Sequence, residues 1–407
     1  MGYASNHDTL DPSTLCPGIG RGAGDGASLT TPIVQSTTFC REGVGSDPAH
    51  QYSRVSNPTV AVLEQALGAL EDAPPAVCFG TGLAAETALF LAVLRAGDHV
   101  VCGRSVYGGT VRLLREVLPS LGIEATFVDT TDLEAVRRGL RGNTKLVFVE
   151  TPSNPVLEVS DVEGIAAVAR AHGALLAVDN TFQTSVLQRP LDLGADVSVY
   201  STTKFIDGHS LALGGALVAR DGNLLDRIRF IRKCTGAIQS PFNAWATING
   251  LKTLPLRLER QSATALTIAR WLVAHPDVDV VNYPGLAGGQ AQKLASRQHG
   301  LQRHGAVLSF EVCGGIAAAR IVAESLELCT LVEHVGSVET LVTHPATMTH
   351  ADVPAEQRRA CGIADGLLRL SVGLEPAAAI IADLERAISR ATGLADRSEE
   401  VVACARA

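Results

Sequence analysis

Aromatic residues are scarce in this chain of 407 residues: phenylalanine, tryptophan and tyrosine together make up 4%. A tyrosine outside any strand pattern therefore invites a question about its purpose. Long apolar runs are missing too. None approaches the roughly 20 residues that span a bilayer, which argues against a membrane protein. The opening stretch, MGYASNHDTLDPSTLCPGIG, lacks a basic start followed by an apolar segment, so no secretory leader is expected. The nine cysteines contain no CxxC pair and no ligand-like spacing. That usage fits reduced thiols in a cytoplasmic protein better than disulfides, and no metal site is expected. Basic runs are absent as well, and the net charge is −8, so a nucleic-acid partner is not expected.

What is present is core-forming material. Hydrophobic residues reach 46% and charged ones 19%, with a mean hydropathy of +0.19. A chain this long exceeds one small core, and a large domain plus a smaller one is expected. Residues 1–57 are rich in Gly, Ser, Thr and Pro and read as an extended arm. From Pro58 the pattern turns helical in TVAVLEQALGALE. Short continuous apolar runs follow, HVVCG, ATFVD, KLVFVE, LLAVDN, DVSVY and GGALVA, most of them separated by helical stretches. Runs of that kind are strands buried on both faces, and their alternation with helices predicts a mostly parallel sheet over residues 58–254. Residues 255–407 read as a smaller α+β domain: a long helix, SFEV, another helix, HPATMTH, RLSVG and a last helix.

Open parallel sheets bind ligands beyond the carboxyl ends of their strands. LVFVE ends at Glu150 and leads into TPSNP; LLAVDN ends at Asp179 and Asn180; DVSVY runs into Ser201, Thr202, Thr203 and Lys204. A lysine at a loop is most often a surface lysine. Here it shares one sheet edge with an acid and several hydroxyls. The segment CFGTGLAAETALFLAVL adds Gly80, Thr81 and Gly82 before a helix, where free N–H groups and the positive dipole end suit a phosphate. An ordinary tight turn would look the same in isolation. Phosphate, lysine and buried acid together suggest pyridoxal 5'-phosphate, with the lysine as Schiff-base former and the acid on the ring nitrogen.

These residues resemble the Cys/Met-metabolism group of pyridoxal phosphate enzymes, which includes cystathionine γ-synthases and γ-lyases, methionine γ-lyases and O-acylhomoserine sulfhydrylases. The resemblance runs from about residue 30 to 392, through YSRVSNPT (52–59), VYGGT (106–110), ETPSNP (150–155), VDNTF (178–182), STTKFIDGH (201–209), HPATMTH (344–350) and LRLSVGLE (368–375). It implies a fold-type-I, aspartate aminotransferase-like α/β architecture and a homotetramer built from dimers with shared sites. It implies Lys204 as Schiff-base lysine and proton carrier, Asp179 as partner of the pyridine nitrogen, and Tyr107 as a stacking aromatic and acid/base. The phosphate would be held by the Gly82 and Leu83 amides, Ser201 and Thr203, with Tyr52 and Arg54 reaching it from a neighbouring subunit. Asn154 would contact the ring hydroxyl, and Arg369 would clamp the α-carboxylate of an amino-acid substrate.

Four positions depart from the family pattern. Thr81 stands in place of serine and keeps a hydroxyl. Leu211 replaces a common aspartate, Gln51 an acid frequent in cystathionine-handling members, and His334 a serine or asparagine near the substrate carboxylate. YGGT, without a cysteine, argues against a methionine γ-lyase specialist. Arg112 and Glu333 match positions used toward the distal end of cystathionine, although Arg112 would also suit a solvated helix face. The expectation is γ-elimination or γ-replacement of the cystathionine γ-lyase or γ-synthase type. A dehydrogenase is disfavoured because no GxGxxG follows an early strand. A non-catalytic descendant would be expected to lose Lys204 or Asp179.

Overall fold

A computed structural model of the chain describes residues 11–351 and 353–404. Of the opening stretch read above for a leader, the residues before Asp11 lie outside them. The chain divides into two compact units. The first takes the chain up to Gly103, Gly109–Glu150 and Ser160–Leu256; the second takes Arg104–Gly108, Thr151–Val159 and the chain from Arg257 onward. The smaller unit thus begins close to residue 255, but it also claims two short loops that the linear reading assigned to the larger domain.

The first unit is built on a seven-stranded sheet: β1 (Val77–Phe79), β2 (His99–Gly103), β3 (Glu124–Val128), β4 (Thr144–Glu150), β5 (Leu175–Asp179), β6 (Val197–Tyr200) and β7 (Gly215–Ala219). Their spatial order is β1-β7-β6-β5-β4-β2-β3. From β3 to β6 neighbours run parallel, and β7 lies antiparallel to both β6 and β1. Strand β1 therefore points the same way as β6. Its three residues were too few to stand out as a strand in the sequence. Continuous apolar runs became fully buried strands: β2, β5 and β6 show almost no exposure. Alternation assigns the two faces. Val101, Val147, Val149, Leu176 and Val178 pack on one side with Val162, Ile165 and Ala169 of the Val162–His172 helix. On the other side Phe148 meets Phe90 of the Gly82–Val93 helix, ring centroids 5.5 Å apart.

The N-terminal arm holds little regular structure. A bridge between Thr38 and Tyr52 organises its end, and Leu29, Val44, Tyr52 and Val55 are exposed.

The second unit has a five-stranded sheet: β8 (Val278–Asn282), β9 (Val307–Val312), β10 (Thr330–Leu331), β11 (Leu341–Thr343) and β12 (Leu367–Ser371). The order is β10-β11-β12-β9-β8. Leu308, Phe310, Leu368 and Leu370 pack with Ile268 and Leu272 of the Leu254–Val273 helix and with Ile380, Leu384 and Ile388 of the Ala377–Cys404 helix. HPATMTH is a turn rather than a strand; the strand is the LVT before it. Among the described residues no helix is long and apolar enough to cross a membrane.

Candidate active site

Parallel strands deliver their last residues to one edge, and in the first unit that edge collects Asp179, Ser201, Thr203 and Lys204 of the expected cofactor residues. Asp179 closes β5, pairs in register with Val199 of β6, and is 8% exposed. Its carboxylate accepts the Thr181 N–H at 2.9 Å. Burial raises its pKa, and bonds from Thr181 offset only part of the rise. Such an acid is stabilised as an anion by a cation placed against it. The Thr181 hydroxyl also accepts the Ser201 N–H at 2.8 Å, so one threonine ties the ends of β5 and β6 together. Thr181 in VDNTF was missed; Asp179, whose carboxylate can accept the N–H two residues on in an Asx-turn, was the available signal.

Past β6 the chain turns at Ser201. The Lys204 N–H donates to the Ser201 carbonyl at 3.2 Å, and the Gly208 N–H donates to the Lys204 carbonyl at 2.8 Å. Lys204 thus stands on a short turn just beyond a buried strand. The loop is closed by the Asp207 carboxylate, which accepts the N–H groups of His209 at 3.2 Å and Leu211 at 3.0 Å. The Leu211 side chain is exposed. The acid missing at 211 therefore leaves the loop anchored through Asp207.

The Gly82–Val93 helix starts beside this turn. Thr81 caps it, its hydroxyl accepting the Ala84 N–H at 3.0 Å and its carbonyl the Ala85 N–H at 3.2 Å. The amides of Gly82 and Leu83 are its outermost donors, where no intrahelical acceptor exists. A Cβ on Gly82 would come within 3.0 Å of Ser201 Cβ and 3.2 Å of its Oγ. Glycine at 82 thus lets the Ser201 hydroxyl lie against a helix N-terminus, a cradle suited to a phosphate. Thr203 is committed differently: its hydroxyl donates to the Gly214 carbonyl at 3.1 Å and accepts the Gly214 N–H at 2.9 Å. It would have to turn to serve a phosphate. Anion cradle, buried acid and lysine on one edge fit pyridoxal phosphate.

Tyr52 and Arg54 do not join this cradle. Arg54 donates to the Lys233 carbonyl at 2.9 Å, in the last turn of the Gly222–Thr235 helix, and its guanidinium lies 5.2 Å from the Tyr52 ring centroid. Gln51 sits nearby in a polar knot with Arg41 and Asp47.

The second unit carries a separate cluster. Arg369 lies on β12, the middle strand of five, opposite Thr343 and Ser309, and is 3% exposed. That position rules out an edge-strand arginine facing water. Its guanidinium donates to Asn154 Oδ1 at 2.8 Å, Thr343 Oγ1 at 3.0 Å and the His334 carbonyl at 3.0 Å. Asn154, expected at the ring hydroxyl, and Arg369, expected at the substrate carboxylate, are thus bonded to each other, and His334 contributes its backbone. Thr343 was missed; its place at the end of LVT, directly before HPAT, was the available signal. His350 lies close enough to Arg369 and Arg358 for their charges, after burial, to lower its pKa to about 4. Tyr107 and Glu333 are exposed in this unit, and Arg112 is exposed in the first.

Comparison with known proteins decides the family. The model of "Cys/Met metabolism PLP-dependent enzyme" matches residues 19–389. The chain belongs to this family. It is 40% identical over 374 residues to an L-methionine gamma-lyase of Fusobacterium nucleatum, covering 89% of this chain and 94% of the relative. To a cystathionine gamma-lyase of Bacillus subtilis it is 40% identical over 361 residues, covering 89% and 94%. The solved structure of a cystathionine gamma synthase from Xanthomonas oryzae pv. oryzae, in complex with aminoacrylate and cysteine, superposes with a TM-score of 0.90 at 41% identity, covering 94% of this chain and 99% of the other. The fold-type-I reading and dependence on pyridoxal phosphate hold.

Proposed function

We propose that this family member catalyses γ-elimination or γ-replacement on cystathionine or its precursors, as a cytoplasmic pyridoxal phosphate-dependent carbon–sulfur lyase or transferase. The observation that carries the reading is the gathering of Asp179, Ser201, Lys204 and the Gly82–Leu83 amides at one sheet edge. When bound, the cofactor supplies an electron sink for negative charge at the substrate's carbons. Lys204 would hold it covalently, and its amine then carries protons between substrate carbons. Asp179 would keep a proton on the ring nitrogen, because a buried carboxylate gains most from a cation at that point. The Gly82 and Leu83 amides and Ser201 would bind the phosphate; Thr203 supports the turn that presents Ser201 and Lys204. Arg369, held in its fork by Asn154, Thr343 and the His334 carbonyl, binds the substrate's α-carboxylate. Tyr107 would serve as the aromatic and acid/base partner of the cofactor, while Glu333 and Arg112 would read the distal end of a long substrate.

Identity alone does not choose among activities, since lyase and synthase relatives all stand near 40%. Arg112 and Glu333 favour cystathionine. Gln51, bonded within the arm where an acid would mark cystathionine-handling members, keeps a second reading in view: an O-acylhomoserine sulfhydrylase or methionine γ-lyase. A homotetramer of dimers with shared sites is part of the proposal. It is supported by the exposed arm and by Arg54, which binds Lys233 in its own chain. The test is a turnover screen of cystathionine, homocysteine, methionine and O-acylhomoserines with and without a thiol, scoring oxoacid release and thioether formation. Highest efficiency on cystathionine, or on cysteine as incoming thiol, supports the reading; preference for methionine or for sulfide overturns it.

A further inference from the structure

Glu86 lies one helical turn inside the Gly82–Val93 helix, 3% exposed, on a face that the sheet covers. Phe90, four residues on, packs against Phe148 of β4, so Glu86 sits one turn nearer the carboxyl edge of the strands. Strand alternation brings Cys102, Glu150 and Asp179 to that same face, and Glu150 pairs in register with Asp179. The Thr110 hydroxyl, itself buried, donates to Glu86 Oε2 at 2.7 Å. A second carboxyl is thus fixed beside Asp179, on the helix whose N-terminus forms the phosphate cradle.

We propose that Glu86 is a positioning residue that acts through Asp179, setting the negative charge available to the cofactor's ring nitrogen. Burial first, and then the charge of Asp179, raise the Glu86 pKa to about 8, while the Thr110 bond opposes the rise. Of the other titratable groups here, Glu150 on this face adds a further acid, Cys102 is held as a thiol by burial and by the charges of Glu86 and Glu150 with Arg115 opposing, and Lys204 stands on the turn beyond β6 at the same sheet edge. Below its pKa, Glu86 keeps its proton and leaves Asp179 as the charged partner. Above it, Glu86 adds a second negative charge that favours a protonated ring.

Two readouts separate this from a packing role. A raised acid binds its proton more tightly folded than unfolded. The cofactor-free protein therefore loses stability as pH climbs from the ordinary carboxyl value of 4.5 toward about 8. Glu86→Gln keeps the acceptor for Thr110, and its melting curve against pH should be flatter by that contribution. Glu71, also raised by burial, to about 7, contributes equally to both proteins. The second readout is the dissociation constant for pyridoxal phosphate. The ratio of Glu86→Gln to the unaltered protein should grow from about one at pH 6.5 to about tenfold at pH 9.5, the effect of roughly one pKa unit. Thr110→Val, which removes the bond favouring ionised Glu86, should move the inflection to higher pH, and Glu86→Gln/Thr110→Val should show none. Parallel pH profiles, or an inflection that Thr110→Val leaves in place, overturn the inference. If Glu86→Gln does not fold, Thr110→Val decides alone. The inference rests on Asp179 as the ring-nitrogen partner. Failure of that assignment is distinguishable, because Asp179→Asn would then leave cofactor affinity and absorbance unchanged.

Discussion

Replacing Arg369 by alanine isolates the substrate-binding half of the mechanism from the cofactor-binding half. The guanidinium is 3% exposed and held by Asn154, Thr343 and the His334 carbonyl at 2.8–3.0 Å. A fork so placed offers a carboxylate two parallel charge-assisted bonds, each contributing about 1.5–3 kcal/mol. Losing both should lower kcat/KM by about two to four powers of ten. Most of the loss should appear in KM, because the bond is made to a group that does not react. Arg369→Lys keeps the charge without the fork and should recover only part of the loss. The assay compares an amino-acid substrate with the matching amine that lacks the α-carboxylate. Arg369→Ala should lose its factor on the amino acid and hardly any on the amine, while cofactor absorbance stays as in the unaltered protein. An equal loss on both substrates would refute the carboxylate role and leave Arg369 as a structural cation of β12.

Three further outcomes follow from the same geometry. Asp179→Asn should retain the cofactor more weakly and lose at least about tenfold in kcat, since one pKa unit at the ring nitrogen already has that effect; unchanged kinetics would mean that another group pairs with the ring. Arg54→Ala and Lys204→Ala proteins, each inactive alone, should recover activity when mixed through hybrid dimers; no recovery after demonstrated subunit exchange would count against shared sites. Glu333→Ala and Arg112→Ala should cut efficiency on cystathionine roughly tenfold to a hundredfold, the value of one charge-assisted contact, and spare homocysteine; equal losses on both would point to a short-substrate enzyme.

Much of the candidate cofactor site was legible because its parts lie at strand ends, and buried strands are conspicuous as continuous apolar runs. KLVFVE, LLAVDN and DVSVY became β4, β5 and β6, so Asp179 and Lys204 could be placed on one edge by topology alone. Strand β1 escaped because three residues carry no periodicity, and β8 escaped because VDVVN is partly exposed and carries no continuous buried run. The meeting of Arg369 with Asn154 joins residues 215 positions apart, a pairing that no local pattern encodes. The two loops 104–108 and 151–159 changed unit for the same reason: their sequence neighbours are strands of the first sheet, while their contacts are made elsewhere. Glu86 was hidden within a good helix-forming run, where a glutamate ordinarily faces water. Its burial follows from helix phase against β4, which only the packing of Phe90 on Phe148 makes plain.

The central claim is that Lys204, on the turn after β6, is the residue that holds the cofactor. The chain contains five lysines, Lys145, Lys204, Lys233, Lys252 and Lys293, so the claim can be read directly. The purified yellow protein is reduced with borohydride, digested, and its peptides are mapped by mass spectrometry. The account predicts a single phosphopyridoxyl group on Lys204, with bleaching of the visible band and no labelling in Lys204→Ala. The same group on any of the other four lysines, or none at all in a protein that turns over substrate, would contradict it.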